Sequence, residues 1–187
     1  KKIFKTADDK LNYPISKLIL EGPKDQLQLT KNTQPAILTV SYSIFKTLKE
    51  EFNFDLKSFK YFAGHSLGEY SALVCSDSLD FSDALYLLHE RGKAMQEAVP
   101  IGEGIMIAVL GSKINDIKDL LSSFDKKQGV CEIANDNADG QVIVSGDNES
   151  VQLFQKLLKE KKIKYIPLKV SAPFHCSLMK IAANAMK

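Results

Sequence analysis

Tryptophan is absent from this 187-residue chain, cysteine occurs three times, and among its 25 lysines and arginines only Arg91 is an arginine. Cys75, Cys131 and Cys176 are odd in number and lack metal-ligand spacing. That argues against a disulfide scaffold or a zinc module and points to free thiols in a reducing, cytoplasmic compartment. No apolar run reaches the roughly 20 residues of a membrane span. Residues 1–10 have no apolar centre of the kind a signal peptide carries. With 44% hydrophobic and 26% charged residues and a net charge of +2, the chain reads as an ordinary globular protein. Neither disorder nor a nucleic-acid partner is indicated.

What the chain does contain is a serine between two glycines, in Gly64-His65-Ser66-Leu67-Gly68. This is the nucleophile-elbow pattern G-x-S-x-G, in which a tight turn from strand to helix lifts a serine hydroxyl clear of a sheet edge. The context agrees: residues 59–63 read as a short buried strand, and residues 67–75 as a helix without a breaker. The N–H of Leu67 lies in the first helical turn, where amides are unpaired and the helix dipole is positive, so it suits an acyl oxyanion. The same pattern also describes a plain turn with a solvated serine, and the rest of the chain must decide.

A serine nucleophile needs a base, and imidazole has a suitable pKa. Three histidines are available. His65 lies within the elbow and is expected to point away from the serine. His89 is placed on the outer face of a helix. His175 follows a strand in a loop, where catalytic bases are common, and is our choice. Asp136, Asp139 and Asp147 fall between Ser66 and His175, yet none clearly completes a triad, so a Ser-His dyad is favoured. Cys176 is not read as a thiol partner, because adjacent residues rarely aim their side chains at each other.

Arg91 sits in a helix expected from about residue 82 to 99, at the edge of the stripe formed by Ala84, Leu88 and Met95. A guanidinium there needs a partner. An internal carboxylate would serve, but beside a serine acyl site the planar fork suits a carboxylate on the substrate.

Elsewhere, Thr33 reads as an N-cap, with Pro35 in the first turn of a helix reaching about residue 52. After Pro100, Gly102 and Gly104 the pattern changes to strand 105–110, helix 113–124, strands 130–134 and 141–145, helix 148–161 and strand 164–168. That is the βαββαβ order of a ferredoxin-like unit, with Asp139-Gly140 in its central hairpin.

Three blocks together resemble the malonyl-CoA:acyl carrier protein transacylases: residues 64–74 around Ser66, the run from Arg91-Gly92-Lys93 to Pro100, and Ser171-Ala172-Pro173-Phe174-His175-Cys176-Ser177-Leu178-Met179. Thr33-Gln34-Pro35-Ala36, Asn135-Asp136-Asn137 and Gly140-Gln141-Val142 extend the likeness along the chain. The resemblance implies an α/β-hydrolase-like acyltransferase core over 1–102 and 169–187, with the ferredoxin-like subdomain over 103–168 inserted between nucleophile and base. It implies that Ser66 is acylated, His175 is its base, Arg91 clamps the malonyl carboxylate and Leu67 donates to the oxyanion. Gln34 and Asn137 correspond to pocket positions, and Phe174 to the malonyl-selective members. Malonyl-CoA and acyl carrier protein are the implied partners of a monomer that needs no metal or redox cofactor.

The sequence also departs from that family. Members begin with an apolar strand and a Gly-Gln-Gly-Ser-Gln loop that carries a second oxyanion donor, and they continue past the histidine block with a backbone carbonyl that orients the base. Neither is found here, so the chain reads as an internal piece of a longer protein. A polyketide-type acyltransferase, a serine esterase or thioesterase, and a non-catalytic carrier-binding module stay open as alternatives. From residue 151 to the end, eight lysines stand against Glu160 alone. This is a solvated helix face or a surface for an acidic carrier protein.

Overall fold

The computed structural model describes residues 1–52, 55–56, 59–100, 102–123 and 129–187. It divides into two compact units, residues 1–93 and 94–187.

The first unit is helical. Helix α1 (Lys2–Leu11) places Ile3, Ala7 and Leu11 on one stripe and is followed by α2 (Ile15–Glu21), α3 (Lys24–Leu27) and the long α4 (Thr30–Glu51). Asp8 joins α1 to α2 by accepting the Ser16 N–H at 2.7 Å and the Ser16 hydroxyl at 2.5 Å. Helices α5 (Leu67–Cys75) and α6 (Phe81–Glu97) complete the unit, and α6 continues into the second. The core gathers Ala7, Ile15, Ala36, Leu38, Val74, Phe81, Ala84, Leu85 and Leu88.

Two expectations are corrected here. Helix α4 begins at Thr30, so Thr33 is inside it and Pro35 well past the first turn. The Thr33 hydroxyl donates back to the Leu27 carbonyl at 2.5 Å rather than capping. Proline is tolerated because the carbonyl it leaves without an amide, that of Lys31, accepts from His89 Nδ1 at 3.2 Å. Residues 59–63 do not form the expected buried strand. Tyr61 is 86% exposed, and the only sheet among the described residues lies in the second unit. A strand exists only where a neighbour accepts its ladder, and apolar content alone does not supply one.

The second unit runs β1 (Gly104–Leu110), α7 (Ile114–Ser122), β2 (Cys131–Ala138), β3 (Gln141–Asp147), α8 (Asn148–Glu160) and β4 (Lys164–Pro167). Its strands are antiparallel in the order β2-β3-β1-β4. The expected element order is present, though the end of the helix predicted over 113–124 lies outside the described residues. Alternation sorts the strands into two faces. Ile107, Val109, Cys131, Val142 and Val144 meet Ile117 and Leu121 of α7 and Val151, Phe154 and Leu158 of α8. Met106, Ala108 and Ile143 face the other way, against Leu168 and Phe174. After β4 the chain passes through a 3-10 turn (Ser177–Met179) into α9 (Lys180–Ala185), where Met179 and Ala182 pack on Met95, Val99 and Ala172. The whole is a mixed α and β chain, mainly helical in its first unit and built on a small antiparallel sheet in its second. No described helix is long and apolar enough to cross a membrane.

Candidate active site

Ser66 immediately precedes α5, with φ 54° and ψ −113°. A left-handed φ is unfavourable for a non-glycine residue, and such residues concentrate at functional sites. The turn that imposes it closes tightly: the Gly68 N–H donates to the His65 carbonyl at 2.8 Å and the Glu69 N–H to the Ser66 carbonyl at 3.1 Å. A Cβ on Gly64 would lie 1.9 Å from the Gly68 oxygen, so glycine is obligatory there. Around Gly68 the space is open. The two glycines of the elbow therefore differ in role: the first permits the turn, and the second leaves room beside it. Among the described residues the Leu67 N–H has no acceptor.

Arg91, on α6, reaches this turn. Its Nη2 donates to Ser66 Oγ at 3.1 Å, and its Nη1 donates to Gln34 Oε1. Gln34 is buried on α4 and held in turn by the Thr30 hydroxyl, which accepts from Nε2 at 2.9 Å. Burial pulls the Arg91 pKa below its ordinary value, with the negative charge of Glu69 among the influences that oppose it. Among the described residues no carboxylate forms an ion pair with it. The internal carboxylate partner that a half-buried arginine would ordinarily have is replaced by two neutral oxygens.

Sequence reasoning missed two contributors to this arrangement. Thr30 orients Gln34. Gly92 lets α6 approach α4, because a Cβ there would lie 2.5 Å from Lys31 Cα and 2.7 Å from the Thr30 oxygen. A glycine in a helix interior is unfavourable by about 1 kcal/mol against alanine, and that signal was present next to Arg91. His89 is corrected too. It is half-buried, bonded to the Lys31 carbonyl, and its ring lies 5.7 Å from that of Tyr13, so it is not on an outer face.

His175 and Asn137 belong to the second unit. His175 is exposed, also with a left-handed φ of 59°, between half-buried Phe174 and buried Cys176. Burial raises the Cys176 thiol pKa, and its Sγ donates to the Pro173 carbonyl at 3.2 Å. Asn137 is exposed on β2 at a register shift between Asp136 and Ala138, where a bulge re-aims a side chain. Of Asp136, Asp139 and Asp147, the last is engaged at the start of α8, where it accepts the Ser150 N–H at 2.8 Å. No cluster of metal-binding side chains occurs among the described residues.

Comparison with known proteins agrees with the motif blocks. The model of the family described as "Acyl transferase domain" matches residues 5–187. The malonyl CoA-acyl carrier protein transacylase of Bacillus subtilis (strain 168) is 43% identical over 188 residues, covering 100% of this chain. The chain spans only 58% of that relative's length. Among solved structures, the acyl-carrier-protein-S-malonyltransferase of Bartonella henselae superposes with a TM-score of 0.91 at 41% identity, over 98% of this chain and 59% of that one. A malonyl-transacylase solved in complex with its type II PKS acyl-carrier protein gives a TM-score of 0.91 at 39% identity, over 99% and 59% of the two chains.

Proposed function

This chain belongs to the acyl transferase domain family, and from that membership we propose that the protein carrying it moves a malonyl group from coenzyme A to the phosphopantetheine thiol of acyl carrier protein, in fatty acid biosynthesis. One observation carries the reading: the guanidinium of Arg91 stands against Ser66 Oγ with neutral oxygens as its partners. A substrate carboxylate in place of the Gln34 oxygen pairs the guanidinium with an opposite charge and matches its planar fork. Arg91 then binds the distal carboxylate of malonyl-CoA while Ser66 meets the thioester.

Ser66 Oγ attacks the thioester carbonyl as His175 accepts its proton, and the Leu67 N–H receives the charge that develops on oxygen. The C–S bond breaks, His175 returns the proton to the coenzyme A thiol, and malonyl-Ser66 remains. The carrier's thiol reverses these steps, giving ping-pong kinetics. Gln34 and Asn137 line the acyl pocket, and Phe174 favours malonyl over methylmalonyl. In fold, the reading assigns 1–102 and 169–187 to an α/β-hydrolase-like core and 103–168 to a ferredoxin-like subdomain. The lysines of residues 151–187 support docking of an acidic carrier protein to a cytoplasmic monomer.

Intact-mass measurement of the full-length protein after brief exposure to malonyl-CoA tests the reading. The expected result is a malonyl adduct that is absent from Ser66→Ala and scarce with acetyl-CoA. A protein that hydrolyses neutral esters equally well after Arg91→Ala is a hydrolase instead.

A further inference from the structure

We propose that Glu132 is a positioning residue that holds His175 in its left-handed conformation; the inference rests on the reading of His175 as the base. Cys131 and Ile133 of β2 pack on the helical side of the sheet, so Glu132 between them projects to the opposite side. There its carboxylate takes two bonds from one residue. The Ser177 N–H donates to Oε2 at 2.7 Å and the Ser177 hydroxyl to Oε1 at 2.9 Å. Ser177 opens the helical run that continues as α9, where an unpaired amide and the positive end of the helix favour a carboxylate.

The loop holding His175 is fastened at both ends to the same sheet. Upstream, Pro173 lies so close to Gly104 that a Cβ there would come within 2.3 Å of its Cγ, and the Phe174 N–H donates to Met106 Sδ at 3.3 Å. Downstream, Ser177 is tied to the sheet through Glu132, two residues beyond the histidine. A two-pronged, charge-assisted contact fixes orientation as well as distance. The backbone angle of 59° at His175 lies between half-buried Phe174 and buried Cys176, and this clamp holds the chain just beyond them. Loss of the clamp lets the peptide relax toward a negative φ and swings the imidazole.

The test uses the full-length protein as wild type, Glu132→Ala, Ser177→Ala and the double variant, with p-nitrophenyl acetate and malonyl-CoA as acylating probes. A displacement of about 1 Å can lower a rate on the order of 10²-fold. Glu132→Ala is therefore expected to slow Ser66 acylation by about 10- to 100-fold with both probes. KM for malonyl-CoA should stay unchanged, and amide exchange over residues 174–178 should quicken. Ser177→Ala retains the backbone bond and should give a smaller fall of the same kind, with the double variant no worse than Glu132→Ala. A wild-type acylation rate in either folded single variant overturns the inference, as does a loss that only tracks the unfolded fraction. Should Glu132→Ala not fold, Ser177→Ala and Glu132→Gln decide in the same way. Wild type that reacts with p-nitrophenyl acetate but not with malonyl-CoA removes the malonyl reading while leaving Glu132 judged by the ester; wild type that reacts with neither overturns both.

Discussion

His89 donates from Nδ1 to the Lys31 carbonyl at 3.2 Å, and that carbonyl is the one whose helical partner would have been the amide of residue 35. Proline at that position has no N–H to give, so α6 supplies through a side chain what α4 lacks in its backbone. His89→Leu should lower stability by about 1–3 kcal/mol, the penalty for a buried acceptor left unsatisfied. Adding Pro35→Ala restores an amide donor and should recover much of the loss. Urea denaturation of the four proteins gives the coupling, and simple additivity would refute the exchange of donors.

On the proposed reading, Arg91 acts through the shape of its fork. Arg91→Lys keeps a charge but cannot donate to Ser66 Oγ and Gln34 Oε1 in the same planar geometry. One charged hydrogen bond is worth about 1.5–3 kcal/mol, so kcat/KM for malonyl-CoA should fall about 10- to 100-fold. Acetyl transfer, which has no carboxylate to lose, should change much less. Steady-state kinetics with both thioesters checks the difference.

The elbow glycines should respond unequally. Gly64→Ala drives a Cβ to 1.9 Å from the Gly68 oxygen and must open the turn, so acylation of Ser66 should be lost along with several degrees of Tm. Gly68→Ala meets no atom within 4 Å and adds helix propensity, so the fold should keep its stability or gain up to about 1 kcal/mol. Thermal melts and acylation assays of the pair measure the contrast.

Asp147 links the second unit to pH. Burial alone would raise its pKa, but the bonds it accepts from Ser150 and Val130 outweigh that and hold it below the ordinary 3.8. A folded pKa below the unfolded one adds stability at neutral pH that disappears as pH falls through the folded value. Asp147→Ala should therefore flatten the acid limb of the stability curve below about pH 4. It should also lower stability near pH 7 by about 0.5–2 kcal/mol through loss of the α8 cap. Denaturant midpoints between neutral and acid pH decide it.

Local patterns in the sequence carried most of the second unit and the elbow. The short apolar runs of residues 105–110 and 141–145 and the Asp139-Gly140 turn determine pairing between near neighbours, and Gly64-His65-Ser66-Leu67-Gly68 determines a turn. Contacts distant in sequence were not legible. Nothing around residues 59–63 reveals whether a partner strand exists, and nothing around Pro35 announces the imidazole 54 positions later that makes its helix tolerable. Arg91 was singled out by its rarity, and its partners Gln34 and Ser66 were each named for other reasons. That α4, α5 and α6 converge on them followed only from packing, with Gly92 as the one local hint. At Asn137 the residue could be read but not the bulge, since one extra residue in a strand leaves the apolar pattern nearly unchanged.

The backbone angle of Ser66 sets chemistry against durability. A serine kept at φ 54° stores about 1–3 kcal/mol, and glycine in its place would hold the same angle without that penalty. Ser66→Gly should thus abolish acylation and yet melt at a higher temperature than the wild type, while Ser66→Ala should be inactive with no such gain. The difference between the two inactive proteins would be a thermometer reading of what selection has conceded to keep a hydroxyl there.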